Sequence, residues 1–331
     1  MTGILALAFF QRALVAAILS GLLAPSVGMY IVQKRLSLLG DGLGHVAIMG
    51  VGLALMTGTA PLPVAIVTAV AGAIIVELLR QSGRASGDLG LAILFYGGLA
   101  SGVLMAGVAG QGAAGLGSFL FGSLTSVTSQ DITVIVVLAV VMLALTIGLS
   151  PRLFAVSVDE DHAKTLGLRV RALNLLIVVL AAVAITISMR TVGLLLISAL
   201  MIIPVATAQQ CFVGFRSTFF GAMGFGVAAA VIGTFASFFL DTATGATIVV
   251  SAIVMLGLAW AFGRYLRRPW RFVAYVADGG GHPHVVAEHD CEEGHDHLPH
   301  GPTRIIQHGD HYDYVHGVHR HAKHGDHYDE H

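Results

Sequence analysis

Charge is scarce in this sequence. Asp, Glu, Lys and Arg make up 11% of the residues, against about a quarter in an ordinary soluble domain, and 56% are hydrophobic with a mean hydropathy of +0.82. That deficit excludes a water-soluble globular chain and marks a membrane protein. The net charge of −1 offers nothing that would hold a nucleic acid. The two cysteines, Cys211 and Cys291, are too few and too far apart for a disulfide framework or a structural zinc site, and neither belongs to a CxxC pair. The phosphate-cradling pattern G-x-x-x-x-G-K-[ST] does not occur, so the chain cannot hold ATP itself and is expected to be no enzyme. The run GQGAAG at 110–115 matches G-x-G-x-x-G in letters only, because no strand precedes it. The N-terminus has no charged segment and small-residue cleavage site of the secretory kind, and reads as a retained span.

What charge there is falls unevenly: 19 charged residues lie in 1–262 and 18 in 263–331. Two domains with different solvents follow, a transmembrane domain over 1–268 and a polar tail over 269–331. A bilayer core of about 30 Å takes about 20 apolar residues per helix, and helices alone satisfy their own backbone there. Apolar segments at 4–32, 43–57, 62–79, 89–110, 131–149, 172–189, 191–211, 217–240 and 244–263 predict an all-α bundle of eight or nine spans, the seventh interrupted by Pro204. Lys and Arg collect at 33–35, 80–84, 151–171, 215–217 and 264–271 and are missing from 57–63, 111–130 and 240–245, which predicts a cytoplasmic C-terminus, with Arg12 and Arg190 against the pattern. The small-xxx-small pairs Gly40/Gly44 and Gly98/Gly102 are read as sites of close helix packing.

An ionisable residue inside a span costs at least about 2.5–3.5 kcal/mol at the bilayer centre and therefore asks for a reason. Asp41 and His45, in LLGDGLGHVAIMG (38–50), stand four apart on one helical face with Cβ atoms about 5–6 Å apart, where a carboxylate and an imidazole can share a cation. The plainer alternative is that Asp41 caps a helix beginning near Gly42 while His45 bonds to a neighbouring backbone. Two ligands are also fewer than the four a transition metal usually takes, and a two-fold dimer would bring two Asp and two His together. Glu77, three residues before Arg80, reads as interfacial, and Asp131 and Asp241 read as caps first, with attraction of an entering cation as the lesser alternative.

The connection 150–174 reads as a short amphipathic helix, a docking element in shape, mixing Phe154, Ala163 and Leu166 with Asp159, Glu160, Asp161 and Lys164. In the tail, His282 to His331 hold fourteen of the sixteen histidines. This stretch is too poor in apolar residues to build a core, which predicts disorder without metal. HGDHYD occurs at 308–313 and 324–329 with HGVHRH between, so His295, His297, His308, Asp310, His311, His316, His319, His321, His324, Asp326 and His327 are candidate ligands for zinc, nickel or copper.

With these residues in view, the chain resembles the membrane permease of the zinc/manganese class of ABC importers. The likeness covers roughly 10–265 and rests on 11–55, on TVGLLLISALMIIPVATA (191–208) and on DEDHAKTLGLRV (159–170). Gly44 stands where members of the family commonly have Ser. The resemblance implies a bundle in the inner (plasma) membrane of a bacterium and a homodimer with two cytoplasmic ABC ATPases docked through Asp159, Glu160, Ala163, Leu166 and Gly167. It further implies an extracytoplasmic metal-binding protein that delivers the ion, and a metal passage lined by Asp41 and His45 of both copies. Surrounding lipid is the only other expected partner, and no cofactor is expected to be permanently bound. Imidazole in both passage and tail points to Zn²⁺ as the transported ion and tail ligand, with Mn²⁺ or Fe²⁺ as alternatives within the family. A proton-coupled exporter of the cation-diffusion type and a metal sensor anchored by its spans are the rival readings.

Overall fold

A computed structural model of the chain describes residues 7–82, 87–110, 112–123, 125 and 127–266, and in the tail 285–286, 304–308, 311–316, 319–324 and 327–330. The chain divides into two units, Met1–Arg268 and Pro269–His331. The described residues of the first form twelve helices: α1 (Ala8–Gln33), α2 (Leu39–Thr57), α3 (Pro61–Gln81), α4 (Gly87–Val108), α5 (Gly112–Phe121), α6 (Ser129–Gly148), α7 (Ser150–Val158), α8 (Glu160–Thr165), α9 (Val170–Val192), α10 (Leu194–Cys211), α11 (Phe215–Leu240) and α12 (Thr244–Leu266). Seven of them, α1, α2, α3, α6, α9, α11 and α12, are long and apolar enough to cross a bilayer. The eight or nine expected spans are reached only by adding the shorter apolar stretches Ala92–Val108 and Leu196–Cys211, in α4 and α10.

Burial sorts these helices into a centre and a margin. The apolar windows of α1, α2 and α9 are each 72% buried, whereas those of α6 and α12 are 28% buried. The margin leaves Val137, Val140, Ile253 and Trp260 exposed, a surface that only lipid would cover without penalty. Pro204 does not interrupt α10, and Pro25 lies within α1 likewise, as helices packed among others in a membrane tolerate. The break between α9 and α10 falls instead at Gly193, whose φ of 83° is a conformation that side chains disfavour.

Close packing explains the small residues. A Cβ added at Gly98 would lie 2.7 Å from the backbone carbon and oxygen of His45, and one at Gly102 would lie 2.6 Å from Ile48 Cγ2. The second expected glycine pair is equally tight, since a Cβ at Gly40 would meet Ser198 Oγ at 2.9 Å and one at Gly44 would meet Leu194 Cδ1 at 2.9 Å. The side chain of Leu194 thus fills the space that a Ser at position 44 would need.

The connection expected as one amphipathic helix is two, α7 and α8. Asp159 breaks it by taking an extended conformation, φ −147°, and its side chain accepts from the backbone N–H groups of Asp161 and His162, both at 2.9 Å. Phe154, expected on a docking face, packs instead on Phe215, with ring centroids 4.3 Å apart.

The second unit is described in part. Its described residues form a five-stranded antiparallel sheet of β1 (Val285–Val286), β2 (Arg304–His308), β3 (His311–His316), β4 (His319–His324) and β5 (His327–Glu330), in the order β1-β5-β4-β3-β2. The physical reason is backbone pairing at fixed register: His308 pairs with His311, His316 with His319 and His324 with His327, so the eight-residue repeat puts two residues between successive strands each time.

Candidate metal passage and docking helix

Asp41 lies in the first turn of α2, which begins at Leu39 rather than near Gly42. The N-cap residue is Leu38 and no side chain caps the helix, so the capping role weighed for Asp41 is not what the structure shows. The carboxylate is half-buried, and among the described residues no hydrogen bond or ion pair reaches it. What favours the charge there is the α2 dipole, worth about 0.3–1 kcal/mol.

His45 is 4% exposed. Its Nδ1 lies 2.7 Å from the backbone carbonyl of Asp41, and since a carbonyl only accepts, Nδ1 carries the proton. In the neutral ring Nε2 then keeps its lone pair, the form in which an imidazole binds a metal, and the carbonyl plays the orienting part that second partners of metal-bound histidines usually play. One ring face lies on Phe95 of α4, with centroids 3.9 Å apart and planes at 39°. Gly98, one turn further along α4, permits that approach. Nothing in the sequence around position 95 signalled Phe95, which is recognisable only once α2 and α4 are seen to pack. Among the described residues no group of three or more His, Cys, Asp or Glu gathers to hold a metal ion, so one chain offers Asp41 and His45 and no third ligand of these kinds.

The five residues expected to dock an ATPase separate into two sets. Asp159 and Gly167 are exposed, and Leu166 is 60% exposed. Val158, which the sequence reading passed over, joins them as an exposed apolar side chain at the end of α7. Ala163 is fully buried against Val156 and Val170 and holds the element in place, while Glu160, its side chain 38% exposed, is tied to Lys34 and Asn174. Glu160 Oε1 accepts from Lys34 Nζ at 2.6 Å and from Asn174 Nδ2 at 3.0 Å. Burial pushes the Glu160 carboxyl up, but Lys34, Asn174 and Arg80 outweigh it and leave the group below its ordinary value. Asp159 is also held low, chiefly by the backbone N–H of His162.

At the end of the bundle poor in Lys and Arg, the candidate cation-attracting residues have structural tasks. Asp131 completes a capping box with Thr128 and lies 3.3 Å from Arg190 Nη1, which gives that span-end arginine its partner. Asp241 is the left-handed C-cap of α11, φ 51°, and borders a cavity of about 480 Å³ with Phe9, Ser123 and Thr244. In the tail, His308, His311, His316, His319, His321, His324 and His327 lie on strands, while His295, His297, Asp310 and Asp326 lie outside the described residues.

Known proteins resemble this chain in sequence and fold. The chain is 31% identical over 271 residues to the manganese transport system membrane protein MntC of Halalkalibacterium halodurans, covering 81% of this chain and 93% of that protein. It is 30% identical over 243 residues to the chelated iron transport system membrane protein YfeD of Yersinia pestis, covering 73% and 81%. The solved structure of PsaBC from Streptococcus pneumoniae in complex with Fab superposes with a TM-score of 0.72 at 30% identity, covering 80% of this chain and 96% of that one. The model of the ABC 3 transport family matches residues 6–263, and the chain belongs to that family of metal-transporting membrane permeases.

Proposed function

We infer that this permease imports a divalent first-row transition metal ion past Asp41 and His45 of two copies of the chain, driven by partner ATPases. The observation that carries the reading is the pair on α2: a carboxylate without a partner among the described residues, four residues before an imidazole whose Nδ1–H is taken up and whose Nε2 is free to coordinate. Two donors per chain become four across a two-fold axis, a full tetrahedral set for zinc and, with waters, an adequate one for manganese. With His45 buried under Phe95, passage requires α4 to move relative to α2, which is what alternating access asks of the bundle.

Manganese is the first candidate for the ion, because several relatives are named for it. The zinc preference drawn from imidazole has no support among them, nor does the exporter alternative. Zinc remains the second reading on one observation, the fourteen histidines of the tail. The positions richest in Lys and Arg would face the cytoplasm, so Asp159, Leu166, Gly167 and Val158 form the surface on which an ATPase docks, and a binding protein would deliver the ion at the opposite end.

Uptake of labelled manganese, with zinc as competitor, into metal-starved cells carrying the intact chain, Asp41→Ala or His45→Ala tests the passage. Both variants are expected to lose uptake while remaining in the membrane. Normal import by both would remove Asp41 and His45 from the route.

A further inference from the structure

Four segments meet at Glu160. Lys34 is the C-cap of α1, Arg80 lies in the last turn of α3, Glu160 opens α8, and Asn174 is in the first turns of α9. The Lys34 side chain is 6% exposed, a depth at which an ammonium must be paired. Its partner is Glu160 Oε1, which also takes the Asn174 amide and has Arg80 Nη2 at 3.9 Å. Arg80 itself is committed elsewhere: it donates to both oxygens of Glu77, which is 2% exposed at the side chain and also accepts from Gln81. The α3 end is therefore a fixed abutment, and while the Asn174 bond ties α8 to α9, the Glu160–Lys34 bond is the member of the cluster that ties α8 to the end of α1, where the chain leads on to α2.

Beyond Lys34 the chain turns through Arg35, a non-glycine at φ 57°, and enters α2, with Asp41 seven residues from Lys34. Whatever displaces Lys34 thus acts on the N-terminal turn that carries the passage carboxylate. Asn174 Oδ1 is buried and has no hydrogen-bond partner, so an acceptor stands ready beside Glu160 for an ammonium released from it. The structure holds one arrangement, with Lys34 on the docking helix, and the open acceptor on Asn174 would allow a second, with Lys34 on α9.

We propose that the Glu160–Lys34 ion pair is the link that couples movement of α8 to α2, and through α2 to the Asp41–His45 pair. The proposal rests on the docking reading above. Lys34 and Glu160 are positioning residues: neither touches the ion, and their effect is on how many ions move for each ATP spent.

The test reconstitutes the full-length chain with its partner ATPase and binding protein in vesicles, and measures ATP hydrolysis and manganese uptake on the same sample for the intact chain, Lys34→Met and Glu160→Gln. Lys34→Met should keep the ATPase bound and hydrolysing within about twofold of normal, while ions moved per ATP fall about tenfold or more, as expected when a coupling path is cut. Glu160→Gln, which keeps the acceptor for Asn174 and the shape of the side chain, should lower the same ratio. Lys34→Arg should retain it, and it serves as the readout if Lys34→Met is lost from the membrane: an uncoupled Lys34→Arg or a fully coupled Glu160→Gln overturns the proposal. So does an unchanged ratio in Lys34→Met, and so does loss of the ATPase from that variant, which would make the cluster a docking contact. The docking reading fails separately, if Leu166→Asp leaves the ATPase bound.

Discussion

Asp41 and Glu160 are carboxylates in the first turns of their helices, both part-buried, and the structure treats them in opposite ways. Glu160 is surrounded by Lys34, Asn174 and Arg80, whereas Asp41 meets no partner among the described residues. A carboxylate partly withdrawn from water loses part of its hydration, and a charged or hydrogen-bonding neighbour can return it. For Glu160 the protein returns it and the charge becomes structure. For Asp41 no partner among the described residues does so, and under the proposed function a passing cation would be the group that meets its charge.

The sharpest way to break that contrast is to neutralise each carboxylate without changing its shape. Asp41→Asn should cut manganese uptake about 100-fold, the upper range for losing a group that orients or holds a metal. The same substitution should leave the melting temperature in detergent nearly unchanged, since only a helix-dipole interaction of about 0.3–1 kcal/mol is given up. Glu160→Gln should do the reverse, lowering the melting temperature by stranding Lys34. If Asp41→Asn melts much earlier, the carboxylate has a structural partner and the contrast collapses.

A second effect enters through the glycine beneath His45. Gly98→Leu places a side chain where even a Cβ lies 2.7 Å from the His45 backbone, so α4 must retreat and Phe95 leaves the imidazole. Overpacking of this kind costs about 1–3 kcal/mol and here also moves a proposed ligand. Uptake should fall about tenfold with the chain still in the membrane, whereas the equally drastic Gly107→Leu, where an added Cβ meets nothing within 4 Å, should be silent.

The acid limb of stability sharpens the Glu160 side. Because the folded carboxyl titrates below its ordinary value of about 4.3, its contribution is present above that value and is lost as pH falls through the lowered one. The melting temperature should therefore drop between about pH 5 and pH 3, and the drop should be shallower in Glu160→Gln. An identical acid limb in both chains would place the titrating group elsewhere.

How much of this the sequence disclosed follows from range. Asp41 and His45 were legible because four residues of spacing on one helix is a local fact, and the apolar segments were legible because a bilayer demands length. The α9–α10 boundary moved by a few residues because Gly193 acts through its own φ, which hydropathy does not register. Glu160 was read from the resemblance as a docking residue, and helical periodicity cannot add that Lys34, 126 positions earlier in the chain, lies 2.6 Å from it. Phe95 and Val158 were missed for the same reason: each matters through a neighbour, or the lack of one, that only tertiary packing decides. The tail sheet was not foreseen, because composition argued against a core while backbone pairing follows the repeat.

The smallest expected effect separates passage ligands from tail ligands. The tail carries many more imidazoles than the passage, so a reading by ligand count alone would put function there. The contrast between Asp41 and Glu160 argues otherwise, since what marks a transport ligand is an unmet charge on a central, buried span, and α2 is such a span. A chain truncated after Arg271 should import manganese at close to the intact rate under saturating ion, yet bind fewer zinc ions per chain when equilibrated and counted by atomic spectroscopy. Zinc binding should fall by about one ion for each three or four histidines removed, given four-coordinate sites completed by Asp or water. Should truncation abolish uptake while Asp41→Asn spares it, the ligands that matter are those of the tail, and the spans serve to hold them at the membrane.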